Sequence, residues 1–500
     1  MTSIAMMQLA MTSFTDAMNY RDLFTVTLPE TILEVVSLLV LVVDLGWLRK
    51  STQAARMTAA CVLGFLGCVL AIVWLFAHPQ AASIAGGSLV ATSLVSAAQI
   101  GILILTALVL LLSLRAQFSR NPGEFVAIVL LGTTGMMLVT AARDLLVIFV
   151  ALELLSLSLY VLTAFAKSSA QSAEAALKYY LFGGMSAALM LFGFSYLYGL
   201  TGTTNLTGIA ASLAAQDVSP LLVVSLVLVA AGLGFKVAAA PFHLWAPDTY
   251  QGAPAPVTAL IASGSKVASF AVLIALTEGV IATPAYAQSS TWIALLLWMA
   301  AGSIVLGNLA ALVQTSVRRL LAYSAIAHAG YMLLGIAAHT AQSGAAVLYY
   351  ALTYALTTVG AFGVIAIVER SAGSDRLDAF AGLSRRNPVL AGTMLIFLLS
   401  LAGIPPLVGF WAKFNLFAAV LRSPSAMHWG LVLVAMGLAA SAVSLYYYLQ
   451  VLKRIYVTKP VETEPLQISS LEVTILAAIA LVVVLLGILP SALSGWIPLG

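Results

Sequence analysis

The sequence predicts an all-α, polytopic membrane bundle of about 14 transmembrane helices, and three observations support this fold class. Of the 500 residues, 62% are hydrophobic and only 8% are charged, whereas a soluble domain carries about 25% charged residues. The mean hydropathy is +1.06. Apolar runs of about 18 or more residues recur along the whole chain, and none shows the alternation of a transmembrane β-barrel. Helices are therefore the expected spanning elements.

The predicted spans are numbered here as helices 1 to 14 in chain order. They cover residues 29–48, 57–77, 95–114, 124–142, 144–165, 174–200, 220–241, 256–278, 291–314, 320–338, 345–368, 389–420, 429–452 and 469–490. We expect one membrane domain over residues 1–500. Within it we distinguish N-terminal helices 1–3 (1–122), a first repeat of helices 4–8 (123–280), a second repeat of helices 9–13 (281–460) and a C-terminal helix 14 (461–500).

Basic residues in the loops predict the orientation of the chain. Fifteen of them follow helices 1, 3, 5, 9, 11 and 13, and only three lie in the other loops. By the positive-inside rule, the first set of loops is cytoplasmic and both termini are periplasmic. The net charge of +4 therefore reflects membrane orientation, and nucleic-acid binding is excluded. The larger set is Arg49, Lys50, Arg56, Arg115, Arg120, Lys167, Arg318, Arg319, Arg370, Arg376, Arg385, Arg386, Lys453, Arg454 and Lys459.

Four lysines fall inside predicted spans, and one glutamate lies deep within a span. They are Lys178, Lys236, Lys266, Lys413 and Glu153, the last near the bilayer midplane. An ionisable group at the centre of a transmembrane helix costs about 2.5–3.5 kcal/mol, and such groups usually face a bundle interior or water on an ion pathway. We interpret these five residues as candidates for proton translocation.

Helix 7 is predicted to be broken near Lys236. Gly232, Gly234 and Pro241 bracket this lysine, and proline removes a helical hydrogen bond while glycine loosens the backbone. Broken helices at membrane depth are tolerated only beside protein or a cavity, and they mark transport sites.

Helix 12 carries a second predicted break, at Pro405 and Pro406, with Lys413 shortly after it. Its apolar stretch of roughly 32 residues would be about 48 Å long as one helix, which is too long for a single straight span. Helices 7 and 12 are five spans apart, so a repeat that relates them is inverted. Such repeats offer two half-channels that open to opposite faces.

Lys266 lies close to the middle of helix 8, where Ser263, Gly264, Ser265 and Ser269 leave room for neighbouring helices or water. A buried lysine changes protonation state when a charged partner moves, which is the chemistry that a proton relay needs.

Each candidate also has a purely structural interpretation. Lys178 forms an i,i+4 surface pair with Glu174 in that case. Lys413 extends its amine to the membrane interface. On the same interpretation, Glu153 is an acid neutralised by one partner. Lys236 is a lysine at an ordinary helix kink, and Lys266 is a packing residue.

Further relay candidates are His243, His328, Tyr323 and Tyr331, since imidazole titrates near neutral pH and hydroxyls pass protons. Singly, each of these is more often a satisfied polar residue. Cys61 and Cys68 lie two helical turns apart, too far for a disulfide, and they indicate neither a metal site nor an iron–sulfur cluster.

Three segments resemble a known family. They are GFKVAAAPFHLWAPDTYQGAPAPVTALIASGSK (234–266), RRLLAYSAIAHAGYMLLG (318–335) and LAGIPPLVGFWAKF (401–414). Together they are similar to the antiporter-like subunits of respiratory complex I and of related cation/proton antiporters. Within this family, the lysines at positions 266 and 413 make the sequence most similar to the subunit N branch of bacterial NADH:quinone oxidoreductase.

The resemblance implies a non-redox, proton-translocating membrane subunit of this oxidoreductase, located in the bacterial inner membrane. It implies that Glu153 and Lys236 form a pair in the entry half-channel, with Lys178 near the entry. Lys266 then connects across the centre and Lys413 delivers protons to the exit. No cofactor is expected in this chain, because NADH, FMN, iron–sulfur clusters and quinone belong to other subunits. The expected partners are the other membrane-arm subunits of a hetero-oligomer, and the lipid bilayer.

Three alternatives remain open from the sequence. The first is a sodium/proton antiporter subunit without redox coupling. The second is a structural membrane subunit whose lysines only anchor helices. A small-solute carrier is less favoured, because its coupling does not call for lysines at successive depths.

Overall fold

The computed structural model of the chain describes residues 20–497 apart from 80, 81, 85, 117, 215, 282–289, 341, 424–428, 461–465 and 467. The first helices are α1 (Tyr20–Val26), α2 (Leu28–Val42, continued by a π-helix Val43–Trp47), α3 (Gln53–Ala77), α4 (Ser93–Ser113), α5 (Pro122–Ala141), α6 (Leu145–Thr163), α7 (Ala170–Thr201) and α8 (Leu206–Ala214). A short antiparallel pair, β1 (Ala82–Ile84) and β2 (Leu89–Ala91), connects α3 to α4.

The central helices are α9 (Pro220–Val237), α10 (Trp245–Gly252), α11 (Ala255–Ala262), α12 (Gly264–Ile281), α13 (Ser290–Leu312), α14 (Val317–Ala338) and α15 (Ser343–Ala372). The last ones are α16 (Leu383–Arg386), α17 (Pro388–Ala402), α18 (Val408–Leu421), α19 (Trp429–Tyr456), α20 (Ser470–Ile488) and α21 (Ser491–Ser494), with a 3-10 turn at Leu377–Phe380.

The predicted all-α membrane bundle is confirmed. Among the described residues, 12 helices are long and apolar enough to cross a membrane. The two remaining predicted spans are interrupted: helix 1 consists of α2 and its π-helix, and helix 12 consists of the shorter α17 and α18. The number of membrane crossings stays a prediction.

The buried centre of the bundle is formed by α11, α12, α14 and α15, whereas α3 and α19 present most of their apolar side chains to the outside. Because lipid tails are as apolar as these side chains, an outward apolar surface is expected of a membrane bundle. A charged residue in the middle of the central helices, such as Lys266, is consequently enclosed by protein.

Two matching backbone bridges support the predicted internal repeat. Asp144 pairs with Asn205 just before α6, and Ser316 pairs with Arg376 just before α14. The side chains of Asp144 and Ser316 also accept hydrogen bonds from the first turn of α6 and of α14. The two bridges lie about 170 residues apart in the sequence and join equivalent helices of the two repeats. The repeat boundaries themselves stay a prediction.

The helix 7 break lies where the sequence predicted it. α9 ends at Val237, one residue after Lys236, and Ala238 is left-handed with φ 58°. The loop that follows contains the cis Ala240–Pro241 bond and leads to α10. Its position is held by Trp245, whose Nε1 donates to Phe235 O at 3.0 Å.

The helix 12 break is also present. α17 ends at Ala402, Gly403 is left-handed with φ 87°, and α18 begins at Val408 after the cis Pro405–Pro406 bond. Gly409 is required at this point, because a Cβ there would lie 1.8 Å from Ser400 O. The chain therefore packs against its own preceding helix at the break.

A third break, which the sequence did not predict, separates α11 from α12 at Ser263 (φ −117°, ψ −89°). In a continuous helix the amide of Ser263 would donate to Ala259 O. Instead that amide bonds Leu260 O, and the Ser263 hydroxyl donates to Ala259 O at 2.5 Å. The serine side chain thus replaces the missing backbone donor, three residues before Lys266.

Candidate proton-translocation site

The first charged pair lies between α6 and α9. Lys236 is buried, and its Nζ donates to the hydroxyl of Ser156. The same Nζ lies 3.6 Å from Oε1 of Glu153. This separation is within ion-pair range but too long for a direct hydrogen bond, so the pair is loosely held.

Glu153 lies at the edge of the bundle, although the sequence indicated a deeply buried acid. Its side chain is 25% exposed, against 5% for Lys236. The reason is its helical position: Val150 and Leu157, on the same face of α6, are 66% and 52% exposed. Oε1 is nevertheless buried and has no hydrogen-bond partner within the described part of the chain. One carboxylate oxygen is thus available to a water molecule or to Lys236.

Lys266 lies in the centre of the bundle, on α12. Its residue exposure is 2%, its Nζ donates to Ala325 O at 2.5 Å, and the amine lies 5.6 Å from the centre of the Tyr354 ring. No carboxylate of the described residues lies within ion-pair distance of this amine. A carbonyl and an aromatic face are therefore its electrostatic partners.

His328 links three helices beside Lys266. Its Nδ1 is 2.8 Å from the hydroxyl of Tyr350 on α15, and its Nε2 is 3.4 Å from the hydroxyl of Tyr448 on α19. Its ring also lies 4.8 Å from the ring of Tyr354. A cavity of about 10 Å³ adjoins it, close to the minimum that holds one water molecule. The imidazole can therefore exchange protons with hydroxyls on either side.

Lys413 lies beyond this group, on α18. Its Nζ donates to Ala402 O at 2.8 Å and to Ser441 Oγ at 2.7 Å. Ala402 is the last residue of α17, so the break exposes the carbonyl end of a helix, which favours a cation. The amine also lies 5.5 Å from the ring of Tyr331, whose hydroxyl accepts a hydrogen bond from Asn308 Nδ2 at 3.4 Å.

Lys178 belongs to a surface network. Its Nζ lies 2.7 Å from Glu174 and 2.8 Å from Asp248, and Asp248 also pairs with Arg319 at 2.6 Å. Partial burial acts to raise the pKa of Asp248, but the hydrogen bonds and charges of Lys178 and Arg319 outweigh it and lower the pKa below its ordinary value. This network ties α7, α10 and α14 together. A role of Lys178 at the proton entry stays a prediction.

Comparison with known proteins places this geometry in a family. Residues 142–441 match the family described as "NADH:quinone oxidoreductase/Mrp antiporter, TM". The chain belongs to this family. All five charged candidates, Glu153, Lys178, Lys236, Lys266 and Lys413, lie inside the matched range.

Curated members of the family extend the likeness to nearly the full length. The chain is 48% identical to NADH-quinone oxidoreductase subunit N 2 of Acidobacterium capsulatum over 96% of this chain and 99% of that protein. It is 39% identical to subunit N of Rhodospirillum rubrum over 88% of both chains. The chain thus belongs to the subunit N branch of the family.

Solved structures of the family share the fold. A chain of respiratory complex I from Thermus thermophilus aligns with a TM-score of 0.76 and 35% identity, covering 93% of this chain and 97% of that chain. A chain of the Mrp complex from Dietzia aligns with a TM-score of 0.79 at 22% identity, covering 94% and 97%. The second likeness concerns the fold alone.

The structure brings together some of the further relay candidates that the sequence predicted and leaves others apart. His328 and Tyr331 lie between Lys266 and Lys413. Tyr323 forms no side-chain hydrogen bond with the described residues. Nδ1 of His243 is buried and also has no hydrogen-bond partner among them. Five further polar residues of the site were missed from the sequence: Ser156, Tyr350, Tyr354, Ser441 and Tyr448. The available signals were the tyrosines of helix 11, within 349–354, and the run of three tyrosines in helix 13, at 446–448.

Proposed function

We propose that this chain is the proton-translocating subunit N of an NADH:quinone oxidoreductase, in which electron transfer in other subunits drives protons through buried glutamate and lysine residues. The observation that carries the proposal is the succession of Lys236, Lys266 and Lys413 inside the bundle, each held beside a helix break. Ionisable groups so placed mark ion and proton pathways. The curated name of the 48% identical relative supports the same assignment.

The proposed path runs from the pair at α6 and α9 to the centre. α9 packs against α12, which carries Lys266. From Lys266 the proton passes the Tyr354 ring and His328 before it reaches Lys413, and the tyrosine hydroxyls around His328 orient the imidazole. The cavity of about 10 Å³ beside His328 is close to the size that admits one water molecule on this path.

Coupling is electrostatic in this proposal. Moving one charge against 100 mV requires about 2.3 kcal/mol. Two unit charges about 4 Å apart at an effective dielectric constant of 20 interact with about 4 kcal/mol. Loosening or tightening the Glu153–Lys236 pair, now at 3.6 Å, therefore changes the local energy by enough to move a proton.

The remaining parts of the assignment follow from the family. NADH, FMN, iron–sulfur clusters and quinone are proposed to bind to other subunits, so this chain acts without redox chemistry. Its partners are the other membrane-arm subunits. The proposed location is the bacterial inner membrane, with both termini periplasmic according to the loop charges.

The decisive experiment replaces Lys236→Ala and Glu153→Ala, singly, in the assembled complex. Proton uptake into membrane vesicles and NADH oxidation are measured together. We expect each variant to lose most redox-driven proton pumping. Lys453→Ala is the matched control, because that lysine is exposed at the end of α19. Full pumping by both variants would refute the proposed function.

A further inference from the structure

A second polar cavity lies at one end of the central helices. It has a volume of about 250 Å³ and is formed where α12 and α14 end and α15 begins. Thr277, Glu278, His339, Thr340 and Ser343 are its polar lining residues. By the loop charges, this end of the bundle faces the periplasm.

The cavity is a formed site that can hold several water molecules, each of which occupies about 30 Å³ in the liquid. Oγ1 of Thr340 is buried and lacks a hydrogen-bond partner among the described atoms, so water is its natural partner. Gly344 leaves room for Glu278, because a Cβ there would lie 2.8 Å from Oε1 of that carboxylate. His339 adopts a left-handed conformation with φ 44° and ψ 51°, which is uncommon outside glycine.

The three helices around this cavity are also the helices of the central relay. α12 carries Lys266 and ends at the cavity with Glu278, while α14 carries His328 and ends with His339. At 1.5 Å per residue, Glu278 lies about 18 Å along the helix from Lys266, and His339 about 16 Å from His328. The cavity therefore lies at the ends of the helices that carry Lys266 and His328, with Ile274 and Ile336 in its wall. The helix of Lys413, α18, also ends beside it, because Arg422 contacts Gln342.

The charges around the cavity suit a proton acceptor. Arg143, in the loop before α6, acts electrostatically on Glu278, and Arg422, at the end of α18, donates to Gln342 Oε1 at 3.3 Å. Partial burial lowers the pKa of His339. A carboxyl group and an imidazole thus line the cavity.

We propose that this cavity is the periplasmic outlet of the proton path, and that His339 and Glu278 receive the outgoing proton and release it to water. The inference rests on the proposed function. The proton that leaves Lys413, the last residue of the proposed path, binds the imidazole nitrogen or the carboxylate oxygen at the cavity. It then passes to a cavity water as hydronium, which restores the neutral imidazole and the carboxylate.

The functional test uses the double variant Glu278→Gln/His339→Gln in the assembled complex. General acid–base groups contribute factors of about 100 or more, and water retained in the cavity limits the loss, so we expect proton pumping to fall about tenfold. The dependence of pumping on periplasmic pH should also flatten. The control is Asp217→Asn, an exposed acid in the loop before α9 on the same predicted side; it should pump like the unaltered complex.

Thiol labelling tests the periplasmic access of the cavity independently, in case the double variant assembles poorly. In Glu278→Cys, a membrane-impermeant maleimide should label the new thiol only from the periplasmic side, as read from the peptide by mass spectrometry. Cys61 and Cys68 are buried and give little background. Labelling only from the cytoplasmic side would overturn the inference.

The two proposals fail separately. If Lys236→Ala abolishes pumping while Glu278→Gln/His339→Gln pumps at the unaltered rate with an unaltered pH profile, the outlet is wrong and the proposed function stands. If Lys236→Ala and Glu153→Ala both pump normally, the proposed function is wrong, and the outlet that rests on it fails too.

Discussion

The two halves of the bundle place a lysine beside a helix break in the same manner but surround it differently. Lys236 has a carboxylate 3.6 Å away, that of Glu153. Among the described residues, the hydrogen-bond partners of Lys413 are neutral oxygens, Ala402 O and Ser441 Oγ. A charge in a low-dielectric interior is costly unless it is paired. The first half therefore offers its lysine a local counter-charge, and the described part of the second half offers none.

The largest effect expected from this comparison is that of Lys236→Met. Removing one partner of a buried ion pair leaves the other charge uncompensated, which costs about 3 kcal/mol. We expect a loss of that size in the free energy of unfolding, measured by chemical denaturation of the detergent-solubilised complex, together with lost proton pumping.

The rescue variant is Lys236→Met/Glu153→Gln. It removes both charges, so most of the lost stability should return while pumping stays absent. If the double variant is as unstable as Lys236→Met alone, the pair does not account for the stability of this region.

A smaller stability effect is expected in the second half, from Lys413→Met. After this change the Ser441 hydroxyl still donates to Ala402 O, at 3.1 Å in the structure, so neither group is left unpaired. The free energy of unfolding should change by about 1 kcal/mol or less, although proton pumping is lost. A destabilisation as large as that of Lys236→Met would remove the distinction between the halves.

The smallest effect concerns Asp248→Asn, in the surface network that joins the halves. Because the pKa of Asp248 is lowered in the folded protein, its contribution is fully present above the ordinary value of 3.8 and disappears as the pH falls through the lowered value. With about a third of the side chain exposed, solvent screening limits the effect to roughly 0.5–1 kcal/mol. Thermal unfolding should show a difference from the unaltered complex above pH 4 that shrinks as the pH is lowered further below 3.8. A difference that persists at low pH would show that the charge of Asp248 is not its cause.

The sequence by itself determined the helical membrane architecture and the breaks in helices 7 and 12. Both depend on forces that act within a few residues: the need to satisfy backbone groups in lipid, and the disruption of the helix by glycine and proline near Lys236 and Lys413. A lysine next to such a break is therefore visible in the linear chain.

Only the tertiary structure decided which neutral groups Lys236, Lys266 and Lys413 contact. Ser156 and Lys236 lie 80 residues apart, and Lys266 and Ala325 lie 59 apart, so no local pattern brings them together. Helix packing likewise brings together the tyrosines around His328. It also forms the cavity that Glu278 and His339 line. The break at Ser263 was hidden because a serine hydroxyl, and not a proline or a glycine turn, replaces the backbone donor. The outward face of α6 likewise became visible only when its neighbours were in place.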